Sequence, residues 1–435
     1  MNSRLPGFYR LPLEQRRQRI AAELGLDENA ARQLSQVLLD ETTADHMVEN
    51  LIGVYGLPLG VGLNFRVNGR DHLVPMCVEE PSVIAAASHA AKLIRKSGGF
   101  FAEADDPIMI AQVQLCDVAD ADAARLAILR NAEELIALAN CANRSLSDRG
   151  GGARSLTVRV LEPGMLVVHL HVDVRDAMGA NVVNTMAEAI AEKLGQLSGG
   201  VVGLRILSNL ADLRCVSVRA EVAFDDLAIN EQSGETMADG IVRASRFAEL
   251  DPYRAATHNK GIMNGVDAVA LATGNDWRSI EAGAHAFAAT QAGGGYRPLA
   301  IWRRNENTLQ GTLRMPMAVG TVGGTLRVHP GARLGLRIAD VSSSSELGML
   351  MAAVGLATNF AALRAMLAEG IQRGHMSLHA RSVALHAGAT ADLVERVADE
   401  MAAAGDVREE RAIEILQRLR SAGTLSSPLA SCNDR

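Results

Sequence analysis

Between Asp251 and Trp277 the sequence reads DPYRAATHNKGIMNGVDAVALATGNDW, and no other stretch constrains the chain as much. It sets two cations (Lys260, Arg254), an acid (Asp276) and three amides (Asn259, Asn264, Asn275) among small or apolar neighbours, where few can serve only as solubilising residues. Lys260 is followed by Gly-Ile-Met-Asn-Gly-Val, so its stem runs along apolar surface. A lysine in that setting needs a carboxylate partner or must lose its charge. Asp276 is one candidate partner. The spacing equally allows a plainer arrangement, in which Lys260 snorkels to water and Asp276 caps a helix over residues 277–287.

A chain of 435 residues can bury a large core and should divide into two or three domains. The net charge of −7, with no basic block, argues against a nucleic-acid partner, although local cations can still hold small anions. No uninterrupted apolar run reaches about 18 residues, so a membrane span is not expected. The first residues, MNSRLPGFYRLPLEQRRQR, lack the apolar middle of a secretory signal. The five cysteines are scattered without a C-x-x-C pair, which fits reduced thiols in a cytoplasm.

Along the chain, residues 13–50 suggest short amphipathic helices, and 56–80 a hairpin turning at Asn68-Gly69. Pro81 should start a helix over 82–96, which would leave Glu80 at a helix N-terminus, where the dipole favours a carboxylate. A glutamate there is most often merely solvated. Gly98-Gly99 and the acidic run before Pro107 mark a boundary. Beyond it come a strand at 109–118, a helix at 120–140, two strands around Glu162-Pro163-Gly164, a helix at 184–197 and a strand at 201–207, a pattern that suggests a small α+β sandwich. It contains neither a Rossmann fingerprint nor a P-loop, so a nicotinamide cofactor would have to bind in another way. After Leu213 the chain returns to the first domain, with a strand at 215–224, a helix at 229–250 and strand-like runs at 312–328. The Gly-rich loop at 320–324 more often marks a bend than a phosphate cradle. Ser343 and Glu346 fit a capping box for a long apolar helix ending at Gly370. Gly370 and Gly374 then make a plausible hinge before a helical appendage. His375 and His379 stand four residues apart, but with no glutamate after the first and no third ligand a metal site is not expected.

Several segments resemble 3-hydroxy-3-methylglutaryl-CoA (HMG-CoA) reductase, in its soluble bacterial class II form, and in that family's order. They are DPYRAATHNKGIMNG with TGNDW, ENLIG at Glu49 to Gly53, NGRD with VPMCVEEPS, DVRDAMGAN at Asp173 to Asn181, RILSNLADLR at Arg205 to Arg214, and GIQRGHM at Gly370 to Met376. ENLIG carries Leu51 where the family has valine; that motif lies at the family's subunit interface. The resemblance implies an α+β fold: a large discontinuous mixed α/β domain (1–106 and 213–369), an inserted small ferredoxin-like cofactor domain (107–212) and a C-terminal helical flap (370–435).

By the same resemblance Glu80, Lys260, Asp276 and His375 are the catalytic residues. Ser82, Arg254, Thr257 and Asn264 hold the substrate; Asp176, Met178, Gly179, Asn181 and Asn209 hold the dinucleotide. The implied reaction interconverts HMG-CoA and mevalonate plus coenzyme A in a homodimer or higher oligomer whose sites lie between subunits. Asn143 stands where NAD-using relatives carry an aspartate, and Arg144 beside it can pair with a 2′-phosphate. NAD(H) is therefore favoured by the wider resemblance, with NADP(H) use expected to be measurable and no metal required. The rival readings are another CoA-dependent acyl oxidoreductase and a non-catalytic CoA-binding protein; the latter would be expected to lack one of the four catalytic residues.

Overall fold

The computed structural model describes residues 1–36, 38–229, 232–291, 294–368, 380–390 and 392–424. Ten strands form two sheets: β1 (Leu59–Val67), β2 (Arg70–Cys77), β3 (Phe100–Ala104), β4 (Ile108–Cys116), β5 (Gly152–Glu162), β6 (Met165–Asp173), β7 (Val201–Leu207), β8 (Cys215–Ala223), β9 (Ala300–Arg304) and β10 (Thr308–Pro316). The first sheet runs β2-β1-β3-β8-β10-β9 and the second β5-β6-β4-β7, giving a mixed α+β fold. The whole second sheet is threaded between β3 and β8, which pair with each other.

The hairpin forms as expected: Asn68 and Gly69 take φ of 49° and 81°, the mirror-image turn that matches the twist of β1 and β2. Pro81 does not start the following helix. That helix is Val83–Lys96, and Ser82 caps it at φ 76°, so Glu80 sits in a turn ahead of the helix. The helix foreseen at 120–140 breaks at Asn131 into Ala121–Arg130 and Ala132–Ala142. The strand-like runs at 312–328 reduce to β10, which ends at Pro316, and the foreseen helix at 229–250 begins only at Gly234.

In the second sheet every pairing is antiparallel, and helices Ala121–Arg130, Ala132–Ala142 and Ala180–Ser198 cover one face. Even-numbered residues of β6, Leu166, Val168, Leu170 and Val172, point into that core, while His169 and His171 face outward, the two-residue period of a half-covered sheet. The first sheet packs on helices Pro252–Ala272 and Ser344–Ala368. The latter is apolar on every side, with Leu347, Leu350, Met351, Val354, Phe360 and Leu363 fully buried. By length and composition it could cross a bilayer, yet 67% of its apolar window is buried, and burial in the core accounts for that composition. Its expected capping box is half made. Ser343 Oγ accepts from the Glu346 N–H at 3.1 Å, but the Glu346 carboxylate accepts from the Ser342 N–H at 2.7 Å instead of returning to Ser343.

Two glycines seat the helix that matters most. A Cβ at Gly265 would lie 2.8 Å from Thr358 Oγ1, and one at Gly355 would lie 2.9 Å from Ile262 Cγ2. The Pro252–Ala272 helix is thus pressed against the long helix and held rigidly. At the C-terminal side, the helix at 380–386, Val394–Ala404 and Glu409–Thr424 close a separate core of Ala380, Ala384, Val397, Met401, Ile415 and Leu416. The proposed hinge at Gly370 and Gly374 lies outside the described residues.

Candidate active site in two halves

Asp251 starts the central helix: its carboxylate accepts from the Arg254 N–H at 2.9 Å, and Pro252 occupies the first turn. Ala255, His258, Ile262, Val266 and Val269 form the buried face. Thr257, Lys260, Asn264 and Asp267 follow one another at spacings of three or four on the opposite stripe, with Arg254 beside them. Thr257 and Lys260 are exposed, and Arg254, Asn264 and Asp267 are partly buried. Burial lowers the pKa of Arg254, and its guanidinium has no partner among the described residues.

Lys260 Nζ donates to Glu80 Oε2 at 3.1 Å, with the two side chains 63% and 40% exposed. A pair so exposed contributes only about 0–1 kcal/mol to stability. Its lysine stands on a rigid helix and its glutamate on the turn closed by Ser82, whose left-handed φ of 76° is a strained conformation of the kind found at functional sites. Lys260 thus meets Glu80, Ser82 closes the turn that carries Glu80, and Arg254, Thr257 and Asn264 share the helix of Lys260.

Asp276 is elsewhere. It caps the helix Trp277–Thr290, its Oδ1 accepting from the Ser279 N–H at 3.2 Å and lying 3.8 Å from Arg278 Nε. Of the two arrangements the spacing allowed, Asp276 adopts the capping one, and the partner of Lys260 is Glu80. Ala272 lies twelve residues on from Lys260 along the helix, about 18 Å at 1.5 Å per residue, and Asp276 follows that end.

Asn275, the residue before Asp276, is tied through Gly320 to the loop expected to hold a dinucleotide. The Gly320 N–H donates to Asn275 Oδ1 at 2.8 Å, and a Cβ on Gly320 would lie 2.6 Å from Met178 N. The Thr321 N–H donates to the Asp176 carbonyl at 2.9 Å, and the Ser344 N–H to the Asp176 carboxylate at 2.8 Å. The Gly-rich loop is thus more than a simple bend: residues 176–178 rest against it. Gly179, at φ 104°, precedes the helix Ala180–Ser198 and gives it no side-chain cap, so the N–H groups of the first turn have no capping side chain to bind. Asn181 is exposed on that turn. Asn209 is exposed too, and its carbonyl lies 2.8 Å from where a Cβ of Gly283 would be, on the helix that Asp276 caps.

Sequence reasoning missed the residue that ties this half together. Arg214, 4% exposed, donates through one terminal nitrogen to the carbonyls of Ala177 (3.1 Å) and Met178 (3.2 Å), and through the other to the Val319 carbonyl (2.6 Å) and Ser344 Oγ (3.2 Å). Burial lowers its pKa to about 10, against the pull of Asp176 and Asp173, so it stays charged at neutral pH. The available signal was an arginine closing the motif RILSNLADLR just before the buried strand β8.

Asn143 caps the short helix Arg144–Asp148, its Oδ1 accepting from the Leu146 N–H at 3.1 Å, and Arg144 is exposed with no partner among the described residues. His375 and His379 lie outside the described residues. Among the described residues no group of three or more His, Cys, Asp or Glu side chains is arranged to hold a metal ion.

With this geometry in view, comparison with known proteins is direct. Residues 12–380 match the family model described as hydroxymethylglutaryl-coenzyme A reductase. A 3-hydroxy-3-methylglutaryl-coenzyme A reductase of Archaeoglobus fulgidus is 49% identical over 97% of this chain and 96% of its own length. A solved reductase of that name from Streptococcus pneumoniae is 40% identical, covers 95% of this chain and 99% of its own, and superposes with a TM-score of 0.82. A class II reductase from the same organism, bound to NADPH in open conformations, is 42% identical over 83% of this chain and 99% of its own, with a TM-score of 0.81.

Proposed function

The chain belongs to the hydroxymethylglutaryl-coenzyme A reductase family as an oxidoreductase of the class II type, and on that premise we propose that it interconverts HMG-CoA and mevalonate plus CoA by two successive hydride transfers. The observation that carries the proposal is the pairing of Lys260 with Glu80 in an otherwise solvated site. Reducing a thioester to an alcohol passes through a hemithioacetal and an aldehyde, and each step develops negative charge on one oxygen. That charge needs a fixed cation and a nearby proton. On this reading Lys260 meets the oxyanion, Glu80 relays the proton, and Arg254, Ser82, Thr257 and Asn264 hold the carboxylate and hydroxyl of the HMG group.

The residues of the second half suit a nicotinamide dinucleotide. The uncapped first turn of a 19-residue helix favours a diphosphate, and Gly179 keeps side chains away from it. Such a cofactor supplies the hydride; Asp176, Met178, Gly179, Asn181 and Asn209 bind and orient it. Residues 107–212 are then the ferredoxin-like dinucleotide domain, 1–106 with 213–369 the substrate-binding and dimerisation domain, and 370–435 the flap.

Asp276 belongs to the cofactor half, and about 18 Å of rigid helix separates Lys260 from its end of the chain. The two act on one substrate most simply when Lys260 comes from one copy and Asp276 from its partner, so we infer a homodimer or higher oligomer with shared sites. The segment at 51–58, outside any helix or strand, supports this reading, with Ile52 104% and Tyr55 90% exposed on a single chain.

His375 is proposed to protonate the departing CoA thiolate. His375→Gln should then reduce free mevaldehyde better than HMG-CoA, and equal losses on both substrates would remove His375 from that role.

Both nicotinamides should serve, with NAD(H) favoured. Asn143 leaves no negative charge to repel a 2′-phosphate, and the exposed Arg144 can reach one. The purified protein should oxidise two nicotinamides per HMG-CoA consumed and release one thiol. Another CoA-dependent oxidoreductase would turn over neither HMG-CoA nor mevalonate. Asn143→Asp should shift the kcat/KM ratio further toward NADH; a wild-type preference for NADPH above about tenfold, near 1.4 kcal/mol, contradicts the cofactor assignment.

A further inference from the structure

A second set of side chains on the central helix is linked without using any group assigned above. Asp267 lies on the stripe of Lys260 and Asn264, two turns past Lys260, and hydrogen-bonds Glu281 of the helix Trp277–Thr290, while its Oδ1 is buried with no partner. Glu281 Oε2 is 2.6 Å from His285 Nε2, one turn further on. His285 Nδ1 is 2.6 Å from the Tyr296 hydroxyl, which accepts from Asn259 Nδ2 at 3.0 Å. Asn259 is the residue before Lys260, on the buried side of the same helix.

The Asn259 amide uses one hydrogen on Tyr296 and the other on the Arg297 carbonyl at 2.9 Å. The Tyr296 hydroxyl keeps its own hydrogen free for His285 Nδ1, and with that hydrogen so placed the imidazole proton faces Glu281 from Nε2. A hydrogen bond between two carboxyls requires one proton between them. Two carboxylates in contact repel, and burial together with Glu281 pushes the Asp267 carboxyl up to about 8. Several charges on the surrounding elements are engaged elsewhere, whereas the buried Nε of Arg364, on the helix Ser344–Ala368, has no partner among the described residues. Glu249 is held by Arg246 and Arg303, Arg314 of β10 by Asp105, Arg337 by Asp27, and His72 of β2 by the Ala339 carbonyl, while Arg278 stands beside Asp276.

We propose that Asp267 and Glu281, sharing one proton, and the chain through His285 and Tyr296 to Asn259 are positioning residues for Lys260. They pin the central helix at Asn259 and Asp267, on either side of Lys260 and Asn264, to the helix Trp277–Thr290 and the segment after it. Loss of the shared proton to solvent sets two negative charges face to face and releases the clamp at Asp267, so turnover falls as pH rises. This rests on the reading of Lys260 as the catalytic cation.

Asp267→Asn keeps a donor to Glu281 that does not titrate. The ratio of its kcat to that of the wild type should rise at least about threefold between pH about 7 and 9.5, because only the wild type loses the clamp in that range. A ratio that stays flat overturns the proposal, since a purely structural contact would lower kcat equally at every pH. Stability gives a sign check. A carboxyl raised in the folded state holds its proton there while the unfolded chain gives it up near pH 4, so wild-type stability relative to Asp267→Asn falls as pH rises from about 4 to 8 and then levels. Should Asp267→Asn fail to fold, infrared titration of the wild type, with the band assigned in Glu281→Gln, must show a protonated carboxyl disappearing near pH 8; no such band also overturns the proposal. If the protein does not turn over HMG-CoA at all, the functional reading fails, and the infrared titration still decides whether the pair shares a proton.

Discussion

Lys260→Ala is expected to lower kcat by about 10²–10³-fold, or roughly 2.7–4 kcal/mol, the loss seen when one oxyanion-stabilising donor is removed. Cofactor affinity should be nearly unchanged, because the proposed dinucleotide loop at 176–179 is held by Arg214, Gly320 and Ser344 and makes no use of the Lys260 side chain. Stability should change little as well: the side chain is 63% exposed, and its pair with Glu80 is of the weak surface kind. The change would therefore fall on kcat with a folded, cofactor-competent protein, a combination that general destabilisation does not produce. Steady-state kinetics with a nicotinamide binding titration reads both quantities. Activity within about tenfold of wild type would take Lys260 out of the mechanism.

The partner of Lys260 shows what sequence could and could not convey. Glu80 lies 180 residues away, and no local rule of periodicity or capping reaches that far. Asp276, 16 residues on, looked closer only because the intervening helix was not recognised at its full length of 21 residues. The signals for that length were present: Asp251-Pro252 begins the helix, and Gly274, at φ 66°, turns the chain after it. The capping role of Asp276, by contrast, was legible, since an aspartate ahead of a small-residue apolar run satisfies N–H groups that any helix start leaves open.

Strand and turn chemistry carried most of the fold. Asn68-Gly69 and Glu162-Pro163-Gly164 located two hairpins because few residues tolerate those turn conformations. Short strands were lost: β3 and β9 have five residues each, too few to establish a two-residue period; of the stretch read as a boundary, Gly98-Gly99 leads into β3 and the passage to the second sheet falls at 105–107, before β4. The helix Pro330–Ala339 was also missed, although Pro330 stands at its first turn as Pro252 does in the central helix. Arg214 was hidden for a different reason. Its partners are mainly backbone carbonyls from separate loops, and carbonyls carry no sequence signature.

The central claim is that one active site is built from the Lys260 half of one chain and the Asp276 half of another, and mixing two variants tests it directly. Lys260→Ala and Asp276→Asn should each be nearly inactive alone. After subunit exchange, half of the dimers formed at random carry one of each, and in those one site has both wild-type halves while the other has neither. Mixed samples should therefore recover about a quarter of wild-type kcat per site pair. If exchange is verified by a mass or fluorescence label and activity stays at the level of the separate variants, Lys260 and Asp276 act within one chain, and the two-half account is contradicted.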